Sequence, residues 1–122
     1  MAERISALAG NYNPGRFGSV GDIGVTLSEV PNLTLSQVAA WPDTLASVGA
    51  KAAAAVGAKN APGPGQAMVG GDGAVLRIEP LKFWIVGAAA PGLDPDDGAA
   101  LDLSHSRTHL RISGPQAATL LN

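Results

Sequence analysis

Glycine and proline occupy 25 of the 122 positions, 16 and 9 respectively, about twice their usual combined share of ~12%. Neither propagates a helix or a β-ladder well, since glycine loses the most backbone entropy on ordering and proline lacks the N–H donor. The chain must therefore consist of short elements joined by many turns. The rest of the composition narrows the outcome further. Of the 56 residues counted as hydrophobic, 22 are alanine and 27 are Val, Ile or Leu. Alanine buries little area, and at ~25 cal/mol per Å² the expected core is modest, giving marginal stability unless a partner covers more surface. A chain of this length is expected to form one domain.

Cysteine is absent, which excludes a disulfide framework, a thiolate nucleophile and cysteine-ligated metal, and suits a reducing cytoplasm. The start, MAERISALAG, places Glu3 and Arg4 where a secretory leader would be apolar. No segment approaches the ~20 apolar residues of a membrane span. A net charge of −2 with eight dispersed Lys and Arg offers neither a nucleic-acid-binding stripe nor a membrane-binding patch.

Residues 1–22 hold Asn11, Asn13, Pro14, Gly15, Gly18 and Gly21 among few large apolar groups. They read as an arm that cannot bury much by itself, followed by a single domain over 23–122. Within that domain IGVTLSEV (23–30) and LTLSQVAAW (33–41) alternate with a period of two and read as strands. Asp43 then stands as a cap for a helix over 44–56, whose inward face is Leu45, Val48, Ala52, Ala55 and Val56, with Gly57 as its stop. Gly49 inside it costs about 1 kcal/mol against alanine, so the helix relies on packing. KNAPGPGQAMVGGDG (59–73) reads as a loop. AVLRIE (74–79) and Phe83 to Val86 read as strands separated by Pro80, the second covered on both faces. After AAPGLDPDDGAA, another loop, a bent strand or strand pair is expected over Leu101 to Ile112. Ser113 or Gly114 would cap a short last helix with Pro115 at its first position.

The segment LDLSHSRTHLRISG (101–114) concentrates the chemically active side chains. His105 and His109 form H-x-x-x-H, which on a helix would stack two metal ligands. On a strand the same step spans about 13 Å, too far for two nitrogens to share one zinc. Ser104, His105 and Ser106 put a nucleophile beside a base in sequence, but no G-x-S-x-G elbow accompanies them and adjacent strand residues face opposite ways. Arg107 and Arg111 share strand parity and could clamp an anion, although such residues more often line a solvated or partner-facing side. GQAMVGGDG and GSVGDIG contain neither G-K-[ST] nor a strand-to-helix G-x-G-x-x-G, and read as turns. DPDDG (94–98) lacks calcium-loop spacing and reads as an acidic turn. Trp41 and Trp84 read as core or interface anchors. The residues by themselves thus yield no catalytic residue, no cofactor-binding residue and no metal ligand.

The succession GVTLSEVPNLTLSQVAAW, an Ala-rich helix, GDGAVLRIEPLKFWIVG and LDLSHSRTHLRISGPQAATLL resembles the gamma subunit of heterotetrameric sarcosine oxidase. The last stretch, with its Asp-Leu-Ser-His run, Gly-Pro and Ala-Leu helix, is also similar to the opening domain of the folate-binding aminomethyltransferases. The resemblance covers residues 23–122. It implies an α+β fold with a mixed or antiparallel sheet and packed helices, of the aminomethyltransferase (T-protein) type. It also implies a non-catalytic subunit of a cytoplasmic, heteromeric oxidoreductase that demethylates sarcosine to glycine with tetrahydrofolate as one-carbon acceptor. In that family FAD, FMN, NAD and zinc reside in the partner subunits. Family members run on past the Gly-Pro helix, so against them the chain reads as a short form incomplete at its C-terminus. Self-association or dependence on a partner through Leu120 and Leu121 is then expected. A stand-alone small folate-binding domain, with Asp102 as the lone candidate carboxylate, and a protein-interaction domain without a flavoenzyme partner are the alternatives.

Overall fold

The computed structural model of the 122-residue chain describes residues 3–11, 15–17 and 24–122. Its elements run β1 (Gly15–Phe17), β2 (Val25–Glu29), β3 (Leu35–Ala40), α1 (Leu45–Ala55), β4 (Ala67–Val69), β5 (Ala74–Glu79), β6 (Lys82–Val86), β7 (Gly98–Asp102), β8 (Leu110–Ser113) and α2 (Ala117–Leu121). All strand pairs are antiparallel, in a three-stranded sheet ordered β1-β2-β8 and a five-stranded sheet ordered β4-β5-β6-β3-β7. This is an α+β fold. The chain divides into two compact units: Leu33–Ser106, and a second made of the segments on either side of it.

In the central unit α1 lies on one face of the five-stranded sheet. Val38, Ala40, Val75, Phe83 and Ile85 from the strands close against Val48, Ala52 and Val56 from the helix, all buried. The helix residues follow the expected spacing, with Leu45 and Ala55 packed at the margin of the cluster. Strand periodicity puts Ser36, Val38 and Ala40 of β3 toward the helix, so Leu35 and Gln37, the apolar-polar alternation most visible in the sequence, belong to the opposite face. β6 buries Phe83 and Ile85 fully, whereas Lys82, Trp84 and Val86 are half-buried. The expected cover on both faces is complete on one face and partial on the other. The reason is that a single helix covers one side.

Gly49, buried in mid-helix, is explained by this packing: a Cβ there would lie 3.3 Å from the Phe83 ring and 3.1 Å from Ala61 Cβ. The helix ends as its sequence requires. Gly57 adopts φ +73°, its N–H donates to Ala54 O (3.1 Å), and Ala58 N–H donates to Ala53 O (2.9 Å), the paired bonds of a glycine-terminated helix. The start differs from expectation. Thr44, not Asp43, holds the cap position and makes no side-chain capping bond. Its hydroxyl instead accepts from Trp41 N–H (3.0 Å) and donates to Asp97 O, which ties the entry of α1 to the turn before β7.

Part of the loop expected over 59–73 is a strand. Ala67–Val69 pairs with Ala74–Leu76 around the turn Gly70-Gly71-Asp72-Gly73, closed by Gly70 N–H to Gly73 O (2.8 Å). Three residues at a sheet edge suffice for pairing, because the glycines sit in the turn and not in the ladder. β5 and β6 form a hairpin across Pro80-Leu81 with an irregularity between Arg77 and Glu79. There the Arg77 guanidinium donates to Pro80 O (Nε 3.0 Å, Nη2 2.7 Å) and lies 5.7 Å from the centre of the Phe83 ring.

In the second unit β2 pairs with β1 on one side and β8 on the other. Of the arm expected over residues 1–22, positions 1–2, 12–14 and 18–22 lie outside the described residues. Ser6 hydroxyl donates to the Glu29 carboxylate. Gln116 N–H donates to Gly24 O (2.9 Å). Gly114 has φ +117° and passes so close to Gly24 that a Cβ would come within 2.6 Å of its oxygen. The last helix begins at Ala117 with Gln116 in the cap position, not at Ser113 or Gly114. Ser113 is held in the β8 ladder opposite Thr26, and Pro115 falls in the preceding turn.

Candidate functional site

The stretch Leu101 to Ile112 is neither one bent strand nor two strands paired with each other. β7 ends at Asp102, residues 103–109 form a turn and an irregular connection, and β8 begins at Leu110 in the other sheet. Neither histidine lies on a strand, so the strand spacing assigned to His105 and His109 does not apply. His105 is exposed in the turn. His109 is half-buried, its backbone oxygen accepts from Val30 N–H (2.8 Å), and its Nε2 is buried without a hydrogen-bond partner among the described residues. Arg107 precedes β8 and Arg111 lies within it opposite Ser28, so the shared strand parity expected of them is not realised. Both are exposed.

The serines show what the Asp-Leu-Ser-His run does. Ser104 is buried; its hydroxyl accepts from Leu35 N–H (2.9 Å) and donates to Leu35 O (3.2 Å). Leu103 N–H donates to the same oxygen (2.8 Å), and Asp102 Oδ1 accepts from Ser104 N–H (2.9 Å). Together these bonds fasten the end of β7 to the start of β3. A hydroxyl engaged with a backbone N–H and C=O on one strand is a structural clip, not a poised nucleophile. Ser106 closes the turn, its N–H (3.0 Å) and hydroxyl (2.9 Å) both donating to Leu103 O. The acidic segment is likewise a turn: Asp94 O accepts from Asp97 N–H (2.9 Å), Asp94 Oδ1 accepts from Asp96 N–H (3.0 Å), and Asp97 stands 3.7 Å from Lys51. Trp41 is exposed and Trp84 half-buried, with Trp84 Nε1–H donating to its cross-strand neighbour Gln37 (3.2 Å).

Beside the Ser104 clip, within the central unit, the fold leaves an open cleft of about 300 Å³. Thr34 and Ser36 from the start of β3, Ala100, Leu101 and Asp102 from the end of β7, and Ala89 and Ala90 line it. Ser36 is 4% exposed. Sequence reasoning singled out Asp102 and missed Thr34, just before β3, and Ser36 within it, whose only sequence signal is their spacing of two. Among the described residues no three His, Cys, Asp or Glu side chains converge on a metal position, and no helix is long and apolar enough to cross a membrane.

No protein-family model and no curated protein matches the chain. Among solved structures it is similar to a chain of the heterotetrameric sarcosine oxidase from Corynebacterium sp. U-96, in complex with pyrrole 2-carboxylate. The TM-score is 0.64 at 32% sequence identity, over 83% of this chain and 55% of that one. This chain therefore spans about half the length of that relative. Identity at this level together with the shared antiparallel α+β architecture makes the chain a structural relative of a sarcosine oxidase subunit.

Proposed function

We propose that the chain acts as a non-catalytic, gamma-type subunit of a cytoplasmic sarcosine oxidase assembly, contributing its fold and its surface to larger subunits that demethylate sarcosine to glycine with tetrahydrofolate as one-carbon acceptor. The observation that carries this reading is the match, at 32% identity across 83% of the chain, to a chain of a heterotetrameric oxidase. The chain's own residues are consistent with it. The polar run 102–106 is spent on joining β7 to β3, and the exposed Leu110, Leu120 and Leu121 offer apolar surface for a subunit contact or for self-association.

FAD, FMN, NAD and zinc belong, in this reading, to the partner subunits. Two observations on the described residues support that reading. The glycine-rich turns among the described residues join strand to strand at Gly70–Gly73 rather than strand to helix, so they present no helix N-terminus to a pyrophosphate. Among the described residues no three His, Cys, Asp or Glu side chains cluster.

The test is purification of the tagged full chain from its native host, with co-eluting proteins identified by mass and the eluate scanned for flavin absorbance. Flavin-bearing larger subunits in the eluate are the expected result. Elution of the chain alone would overturn the subunit reading. Saturable binding of tetrahydrofolate by the isolated chain would favour the alternative of a stand-alone folate-binding domain.

A further inference from the structure

We infer that the outer edge of β7 is a docking site for an extended peptide segment that pairs antiparallel with it and carries basic residues at its C-terminal end. β7 is the last strand of the five-stranded sheet and pairs with β3 alone. Leu103 N–H donates to Leu35 O (2.8 Å), and the register sets Leu101 opposite Gln37 and Ala99 opposite Ala39. Backbone groups of alternate residues leave a strand on opposite sides, so Ala99 and Leu101 serve β3 while Ala100 presents its N–H and C=O outward. Among the described residues neither outward group has a partner, and Ala99 to Asp102 are exposed. Folded proteins usually blunt such an edge with proline, lysine or a bulge. Gly98–Asp102 has none of these, and a strand laid opposite Ala100 would take up both groups at once.

Charge selects the occupant. Asp94, Asp96 and Asp97 stand in the segment that leads into β7, and Lys51, 3.7 Å from Asp97, offsets one of the three. Between Lys82 and Arg107 the chain has no lysine or arginine, so the field at the start of β7 is negative and favours a cationic partner. A strand antiparallel to β7 brings its C-terminal end to that turn, which is where its basic residues belong. A second copy of the chain fits less well. Symmetric pairing about Ala100 would set each Asp102 opposite the other copy's Gly98, next to its acidic turn, and like charges across a ladder are destabilising. Main-chain bonds supply the affinity in this mode and alternate side chains the specificity; Leu101, 56% exposed, offers the apolar contact. The edge lies wholly within Leu33–Ser106, so the inference goes beyond the subunit reading and does not depend on it.

The experiment is a titration of the isotopically labelled full chain with the peptide acetyl-Thr-Val-Thr-Val-Lys-Lys-amide, followed by amide chemical shifts and hydrogen exchange. Two control peptides accompany it, one with both lysines replaced by glutamate and one with both valines replaced by proline, which keeps the charge but cannot form a ladder. A short single-strand ligand is expected to bind with a Kd on the order of 1 mM. Saturable shifts centred on Gly98 to Asp102, with slowed exchange at Ala100, support the site. Binding should weaken about fivefold in Asp96→Lys and at high salt, and be lost in Ala100→Pro, which removes an N–H that points away from β3. Should Ala100→Pro unfold, the proline peptide reads the same main-chain bonds without altering the protein. Equal binding of either control peptide, shifts centred elsewhere or unsaturated by ~10 mM, or an unchanged affinity in folded Asp96→Lys would overturn the inference. So would shifts at Ala100 that follow protein concentration without peptide, because the occupant would then be a second copy.

Discussion

Gly70 and Gly71 are neighbours in one turn, and the structure assigns them opposite responses to alanine. A Cβ on Gly70 would stand 2.0 Å from Val56 O and 2.6 Å from both Ala58 N and Gly57 C. All three are backbone atoms at the C-terminal end of α1, so no side chain can swing aside and one backbone segment must move. The displacement threatens Asp72 N–H to Val56 O (3.0 Å) and the bonds from Gly57 and Ala58 that terminate the helix. One or two lost bonds at about 1 kcal/mol each, plus about 1–3 kcal/mol for forcing atoms into filled space, give roughly 3–5 kcal/mol. A chain of this size is expected to have roughly 6–18 kcal/mol in total, and its alanine-rich core puts it in the lower part of that range.

Around Gly71 a Cβ meets nothing within 4 Å, and its φ is not in the left-handed region. Gly71→Ala should therefore stabilise by about 0.4–1 kcal/mol, through the unfolded chain's lost freedom. Thermal unfolding followed by far-ultraviolet circular dichroism should show Gly70→Ala melting roughly 10–20 °C below the parent and Gly71→Ala a few degrees above it. A Gly70→Ala variant melting within about 2 °C of the parent would refute the close approach of the β4–β5 turn to the helix end. Equal shifts in both variants would refute the reasoning in another way, by showing that the cost lies in the turn's own backbone.

Val48 is fully buried against the sheet, so Val48→Asp buries an unpaired carboxylate and should abolish the cooperative melting transition altogether; Leu45→Asp, at the margin of the same cluster, should leave a lowered but measurable one. Ser104→Ala strips Leu35 N–H and C=O of their hydroxyl partner in a buried setting, for an expected loss of about 1–3 kcal/mol. Faster hydrogen exchange at Leu35 and Leu103 than in the rest of β3 and β7 would locate that loss at the clip.

The elements legible in the sequence were those whose pattern and packing agree. Val48, Ala52 and Val56 recur at helical spacing, Gly57 supplies the left-handed residue that ends the helix, and both are found. The strand positions of β2, β3 and β5 followed from their period of two, and β6 from a short apolar run after Pro80. β4 was hidden because three residues between glycines carry too little periodicity to be separated from a loop, and it is the register with β5 that makes them a strand. The division of 101–114 between two sheets was hidden for a different reason. Leu101, Leu103 and Leu110 alternate as one strand would, but the Asp102 and Ser106 side chains bond the local backbone and turn the chain at 103–106, and such local competition with the ladder leaves no periodic trace.

The same competition governs how the chemically active residues should be read. Serine, aspartate and histidine side by side suggest a reaction because they can exchange protons, yet each can also satisfy a backbone group left over where a strand stops. At the end of β7 the backbone has first claim: Leu35 needs partners for its N–H and C=O, Ser104 provides both through one hydroxyl, and Asp102 orients Ser104 through its N–H. Ser36, by contrast, has its backbone in the β3 ladders and lines the cleft. The conspicuous serine of the polar run, Ser104, is consumed by the fold. For a chain related to one subunit of a larger oxidase, this directs the search for function away from the polar run and toward the surface.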